Sequence, residues 1–134
     1  MIRYQMALEV ELQGSTPRDR LDLGIAFAEM GLLDIAISQA RIAALDPDLE
    51  FSAIGLIAQW LYEKDRAYDA LSEIEPILSS SDYQPFEKVP YYYLSALSNL
   101  RLGRKAQCIA RLKLILDLEP EYRDVAERLR ELST

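Results

Sequence analysis

The sequence predicts an all-α protein built from helical hairpins, and three observations lead to this prediction. Apolar residues recur three and four positions apart through most of the chain, which is the spacing of one face of an α-helix. Glycines, prolines and short polar groups interrupt this pattern after segments of helical length. Small residues also recur at a fixed interval, since Ala70 follows Ala36 by 34 positions. Together these observations predict seven helices between Pro17 and Leu132 and no sheet in that range.

The first and second hairpins occupy the stretch from Pro17 to about Leu78. In the first, Gly31 is expected to end one helix, because glycine enters the left-handed conformation without strain. Leu33 to Leu45 is the second helix of that hairpin, and Pro47 stops it. The second hairpin is predicted as Leu49–Glu63 and Arg66–Leu78, joined at Lys64-Asp65, with Pro76 expected to kink its second helix or end it early.

The third hairpin follows a loop rich in serine and proline. It is predicted to begin near Glu87 or Pro90, to turn at Gly103-Arg104 and to end at Glu119-Pro120. A last amphipathic helix is predicted from Glu121 to about Leu132.

These hairpins resemble the tetratricopeptide repeat, a two-helix unit of 34 residues with the pattern W-x2-L-G-x2-Y, then A-x3-F, then proline. The first hairpin matches best, with Arg20-x2-Leu23-Gly24-x2-Phe27, Ala36-x3-Ala40 and Pro47. The others supply Ile54-x2-Ile57-Ala58-x2-Leu61, Ala70-x3-Ile74, Tyr92-x2-Ser95-Ala96-x2-Asn99, Cys108-x3-Leu112 and Pro120. The second hairpin lacks the turn glycine and the closing proline, and the third has Ser95 and Asn99 in apolar slots. Cys108 follows Ala70 by 38 positions, so the loop between them holds an insertion of four.

The resemblance implies a right-handed superhelical solenoid of three hairpins plus a C-terminal capping helix, over residues 17–134. Small residues are expected where paired helices approach: Gly24, Ala36, Ala58, Ala70, Ala96 and Cys108. Cys108 is therefore expected to be buried and unreactive.

The resemblance also implies a concave groove, lined by the first helix of each hairpin, that binds a peptide or helix of a partner protein. Tyr93 is expected to face this groove and to be replaceable without loss of the fold, whereas Tyr92 fills a packing slot and Tyr91 lies at a boundary. Trp60 lies outside the groove slots and is expected to be a packing residue against the second helix or an edge. The predicted groove residues are Arg18, Leu21, Ile25, Glu29, Gln59, Tyr62, Glu63, Tyr93, Leu97, Leu100 and Arg101. Several are apolar, and an exposed apolar patch typically marks a binding site.

The composition disfavours other kinds of function. The chain has no histidine, which removes the commonest general base and the commonest transition-metal ligand. No metal is therefore expected. The chain also has no glycine-rich phosphate loop, and no cofactor is expected. A small enzyme without histidine is the alternative from another class, and it would need two converging carboxylates in a concave pocket.

The net charge of −7 disfavours nucleic acid, because phosphate backbones are bound largely through Lys and Arg. The basic residues between Arg101 and Lys113 are separated by apolar residues at helical spacing, so they are expected to form a solvated helix face. Neither a membrane-spanning segment nor a signal peptide is evident, and a cytoplasmic location is expected.

Two systems within the family are suggested by local likeness. Residues 23–34 and 122–129 resemble repeat modules of bacterial pilus, motility and polarity proteins, in which the chain would be an adaptor. The alternative is a cytoplasmic, chaperone-like protein similar to the chaperones of type III secretion translocators, which hold apolar segments in the groove.

Residues 1–16 form an N-terminal segment with two open interpretations. Residues 2–13 alternate apolar and polar side chains as a strand does, yet Met-Ala-Leu-Glu favours a helix. The segment is expected to pack on the repeats or to mediate a homodimer. Ser15 or Thr16 can cap the helix that follows, with Pro17 in its first turn.

Overall fold

The computed structural model describes residues 15–133, and the predictions for residues 1–14 lie outside this range. Within it the chain forms seven α-helices and one short 3-10 helix, with no strand. The prediction of seven helices and no sheet between Pro17 and Leu132 is therefore confirmed. The helices are α1 Pro17–Glu29, α2 Leu33–Ala43, α3 Glu50–Glu63, α4 Ala67–Ser79, the 3-10 helix Pro85–Lys88, α5 Val89–Arg101, α6 Lys105–Leu118 and α7 Val125–Leu132.

The described residues group into two compact units, one up to Trp60 and one from Leu61 onwards. In the first unit α1 packs along α2. In the second, α5 packs against both α4 and α6, and α6 packs against α7. Each unit is thus held together by helices that are neighbours in the sequence.

The turns that close the three hairpins have the same backbone geometry. Gly31, Asp65 and Gly103 adopt left-handed conformations with φ of 78°, 61° and 79°. These positions are 34 and 38 residues apart, which matches the spacing of the sequence pattern. In each turn the next residue donates its N–H to the carbonyl five positions earlier: Leu32 to Phe27 (3.0 Å), Arg66 to Leu61 (2.9 Å) and Arg104 to Asn99 (2.8 Å). This is the Schellman motif, and Asp65 takes the place of the glycine that the second hairpin lacks.

Replacing Asp65 by glycine should stabilise the protein by about 0.5–1 kcal/mol. The left-handed conformation is unfavourable for residues with a Cβ, while the greater freedom of glycine in the unfolded chain offsets part of the gain. Removing the Asp65 carboxylate costs little stability. Its ion pair with Arg101 is long, at 3.8 Å, and the Asp65 side chain is 86% exposed, so solvent screens the interaction. Urea unfolding followed by circular dichroism measures the effect. Gly31→Ala is the matched control and should shift the midpoint the other way; a lower midpoint for Asp65→Gly would contradict the shared turn.

The small residues at the slots of the repeat pattern are buried, and one of them, Gly24, lies at a close approach between two helices. Ala36, Ala58, Ala70 and Ala96 are fully buried and Cys108 is nearly so. A Cβ added to Gly24 would lie 3.1 Å from the Ala36 carbonyl oxygen and 3.6 Å from the Trp60 ring. The predicted packing role of Trp60, which is buried, is confirmed.

The helix boundaries agree with the sequence prediction at the starts of α1 and α5, and they differ from it at Pro76 in α4 and at the start of α7. Thr16 caps α1: its hydroxyl accepts the Asp19 N–H (3.1 Å), while the Asp19 carboxylate accepts the Thr16 N–H (3.1 Å). After the inserted loop, α5 begins at Val89, close to the predicted start. By contrast α4 runs through Pro76 to Ser79, so of the two effects predicted for Pro76, a kink or an early end, the early end is wrong.

The last helix begins at Val125 rather than at Glu121. Arg123 adopts a left-handed conformation with φ of 42°, which interrupts helical geometry between Leu118 and Val125. Tyr122 and Asp124, which the sequence placed on the final helix, therefore precede it.

Lys88 fixes the inserted loop to the end of α4. Its side chain is buried, and its ammonium group donates to the carbonyl oxygens of Leu78 (3.2 Å) and Ser80 (2.5 Å). Carbonyl groups at the end of a helix have no partner within the helix, so the lysine satisfies groups that the backbone leaves open.

Candidate functional site

The predicted groove residues of the first unit differ in their access to solvent. Arg18, Glu29 and Gln59 are exposed and Ile25 is half-buried. Leu21 is 2% exposed, so in the structure it belongs to the core of its unit. The expectation of a solvent-facing Leu21 is therefore wrong, because its side chain is taken up by packing within the fold.

In the second unit the structure brings together two predicted groove residues that are 39 positions apart. The Arg101 guanidinium lies over the Tyr62 ring, 3.8 Å from its centroid. It also donates to the Tyr62 backbone carbonyl, with 2.9 Å between Nη1 and the oxygen. Tyr62 is half-buried and the Arg101 side chain is 40% exposed. Stacking of this kind orders both side chains at a surface.

Leu97 and Leu100 lie on the helix that carries Arg101, and both are half-buried. Leu97 precedes Arg101 by four positions, so the two side chains lie one above the other on α5. Glu63, next to Tyr62, is exposed. We call Tyr62, Leu97, Leu100 and Arg101 the Tyr62–Arg101 patch.

Tyr93 does not lie in an open groove. It is 8% exposed, and its ring meets that of Tyr122 edge-on, with 5.7 Å between centroids. Its hydroxyl donates to Oδ1 of Asp124 (2.6 Å), and the Arg123 guanidinium lies 5.0 Å from its ring centroid. The expectation of an exposed Tyr93 is wrong, because the segment before α7 covers it. Tyr91 is also buried rather than at a boundary, while Tyr92 is buried as predicted.

The contacts of Tyr93 alter the ionisation of both partners. Burial raises the pKa of the Tyr93 hydroxyl, and the hydrogen bond to Asp124 raises it further. The same hydrogen bond lowers the pKa of Asp124, since it stabilises the carboxylate. Arg128, one turn along α7, donates from Nε to the other carboxylate oxygen at 2.9 Å. The sequence signal for this cluster was the Asp124–Arg128 spacing, which is that of a helical ion pair.

A cleft between α4 and α6, with α5 as its floor, is a feature that the sequence did not predict. Its volume is about 580 Å³, within the usual range for ligand sites. We call it the α4–α6 cleft. Its lining residues are Tyr68, Leu71, Ser72, Glu75, Ser95, Asn99, Arg104, Gln107, Ala110, Arg111 and Leu114.

The floor of the α4–α6 cleft holds the two residues at which the third hairpin departs from the repeat pattern. Ser95 and Asn99 are buried, and Nδ2 of Asn99 donates to the Ser95 carbonyl (2.8 Å) and hydroxyl (3.3 Å). Shorter polar side chains at slots that usually hold large apolar ones account for the space above them. These departures were therefore the sequence signal for the cleft.

Comparison with known proteins finds no family model and no curated protein that matches the chain. The fold alone defines its class, an all-α protein in which helices adjacent in the sequence pack on one another. None of the described helices is long and apolar enough to cross a membrane. Between residues 15 and 133, His, Cys, Asp and Glu side chains form no group of three that could hold a metal ion.

Proposed function

We propose that this protein is a repeat module of the tetratricopeptide type, with the right-handed solenoid of that family, and that it binds a peptide or helix of a partner protein. The binding surface proposed for the second unit is the Tyr62–Arg101 patch, on α3 and α5. In the first unit the exposed candidates are Arg18, Glu29 and Gln59. By family likeness the adaptor acts in a bacterial pilus, motility or polarity system.

The repeat assignment is supported by the three turns of one geometry at the expected spacing. It is also supported by small buried residues at the same slots in successive hairpins, namely Ala36, Ala70 and Cys108. A helical hairpin cannot bury its apolar face alone, so regular spacing of such units is typical of stacked repeats.

The binding assignment rests on the contact between Tyr62 and Arg101. Tyrosine and arginine are enriched among residues that dominate protein interfaces, and both are in place here before any partner binds. A side chain that is already ordered loses less conformational entropy on association. Leu97 and Leu100 add apolar area next to the pair, and the exposed Glu63, which follows Tyr62 in the chain, supplies charge at the rim. Leu21 and Tyr93 are buried and are therefore not contact residues in the proposal.

Tyr62→Ala tests the proposal. The parent protein first identifies partners by affinity capture from an extract of its own cells, and one purified partner is then titrated. We expect Tyr62→Ala to weaken binding about tenfold or more, because an interface anchor of this kind contributes over 1 kcal/mol.

Phe86→Ala is the matched control, since Phe86 is a 61% exposed aromatic residue of the 3-10 helix, outside the predicted groove. It should bind as the parent does, and both variants should keep the parental helical spectrum. Equal affinities for Tyr62→Ala and the parent would refute the assignment of this surface.

A further inference from the structure

Two arginines line the α4–α6 cleft without a carboxylate partner among the described residues. Arg104 directly precedes α6, and Arg111 follows seven positions later. Seven residues make nearly two helical turns, so the two side chains leave the same side of α6 about 10 Å apart. Arg111 has its guanidinium 5.4 Å from the Tyr92 ring centroid, a contact that leaves its N–H groups available. Each guanidinium can bind a carboxylate through two parallel hydrogen bonds.

The floor of the cleft presents a hydrogen-bond acceptor. Asn99 is 7% exposed, and its amide orientation follows from chemistry, because the Ser95 carbonyl can only accept and must face Nδ2. Its Oδ1 accepts no hydrogen bond from the described residues. An amide oxygen that is open to the cleft and accepts no internal hydrogen bond favours an occupant that donates an N–H there.

The charge of the lining differs from that of the whole protein. The lining contains two arginines and one carboxylate, that of Glu75, so it carries a net positive charge, whereas the whole chain carries a net charge of −7. Tyr68, which is 61% exposed, and two leucines of the lining add apolar surface. An occupant should therefore combine negative charge with apolar side chains and a backbone donor, which is the chemistry of an acidic peptide.

We propose that the α4–α6 cleft binds an acidic peptide segment of a partner protein, whose carboxylates pair with Arg104 and Arg111. A helical segment presents two such carboxylates at the required distance on residues seven positions apart. A backbone or side-chain N–H of the segment reaches Oδ1 of Asn99. This site is separate from the Tyr62–Arg101 patch, and it gives the basic stretch between Arg101 and Lys113 a role beyond a solvated face.

The probe is a fluorescein-labelled, helix-forming peptide of about twelve residues, with glutamates seven positions apart and leucines on the same face. A second peptide has glutamine in place of each glutamate. Fluorescence anisotropy measures binding to the parent, Arg104→Gln and Arg111→Gln. We expect each variant to bind the glutamate peptide about tenfold more weakly, as for loss of a charge-assisted contact. The side-chain amide signals of Asn99 should shift on peptide addition in the NMR spectrum.

Lys113→Gln is the matched control, because Lys113 is an exposed cation of α6 that does not line the cleft. It should bind the peptide as the parent does. Arg104→Gln is the cleanest test, because among the described residues the Arg104 side chain makes no hydrogen bond, ion pair or ring contact that the substitution would remove. Absence of saturable binding, equal binding of the glutamine peptide, or an equal loss in Lys113→Gln would each overturn the proposal.

A single-stranded oligonucleotide is titrated in parallel. Displacement of the peptide by this oligonucleotide at lower concentration would assign the arginines to phosphate and also overturn the proposal. The test is independent of the proposed groove, since Arg104→Gln should leave binding of the captured partner unchanged. Failure of either proposal is thus distinguishable from failure of the other.

Discussion

Tyr93→Ala should lower the free energy of unfolding by about 3–5 kcal/mol, the usual cost of removing a large buried aromatic side chain. The substitution removes the edge contact with Tyr122, the hydrogen bond to Asp124 and the contact with Arg123. Because a domain is typically stable by only 5–15 kcal/mol, this is a large fraction of the total. Urea unfolding followed by circular dichroism at 222 nm measures it.

Two further variants show where the loss comes from. Tyr93→Phe keeps the ring and should cost only about 1 kcal/mol, since Asp124 retains its bond to Arg128. Tyr68→Ala removes an exposed tyrosine and should change stability by less than about 0.5 kcal/mol. Equal midpoints for Tyr93→Ala and Tyr68→Ala would show that the segment before α7 does not pack on Tyr93.

Gly24→Leu should destabilise the protein by about 2 kcal/mol. Overpacking a close approach between helices typically costs about 1–3 kcal/mol, and we expect a cost of about 3 kcal/mol here. Leucine has a better helix propensity than glycine, which offsets somewhat under 1 kcal/mol of that cost. The cost arises because a Cβ at this position would already lie 3.1 Å from a backbone oxygen of α2, and backbone cannot rotate away as a side chain can. Thermal unfolding is the measurement.

Ala26→Leu is the matched control, because Ala26 is exposed on the same helix and receives the same side chain. It should melt at nearly the parental temperature, since alanine and leucine have similar helix propensities. A parental melting temperature for Gly24→Leu would contradict the packing of α1 on α2.

Local features of the fold were predictable because local rules dictate them. Gly31 and Gly103 could be placed in turns from the conformational freedom of glycine, and the small residues at Ala70 and Cys108 from their spacing. The second turn could be located at Lys64-Asp65, but its geometry could not be predicted. Asp65 adopts the left-handed conformation, which glycine usually supplies and aspartate adopts less often. These features depend on few neighbours in the chain.

Features that depend on distant contacts were not predictable. Tyr93 has the helical position of a groove residue, yet a left-handed residue at Arg123 brings the chain back over it, and no rule marks arginine as a site for that conformation. Likewise Ser95 and Asn99 were visible as departures, but the cleft above them exists only through the placement of α4 and α6 around them. The burial of Tyr93 depends on residues about thirty positions away, and the cleft depends on residues spread over three helices.

The burial of Cys108 has a practical consequence for measuring distances in this protein. It is the chain's single cysteine, it is 1% exposed, and burial raises the pKa of its thiol, so little reactive thiolate forms at neutral pH. A cysteine introduced at an exposed position would therefore react with a maleimide probe far faster than Cys108. Spectroscopic labels can be attached at one chosen site while the native side chain stays in its packing slot.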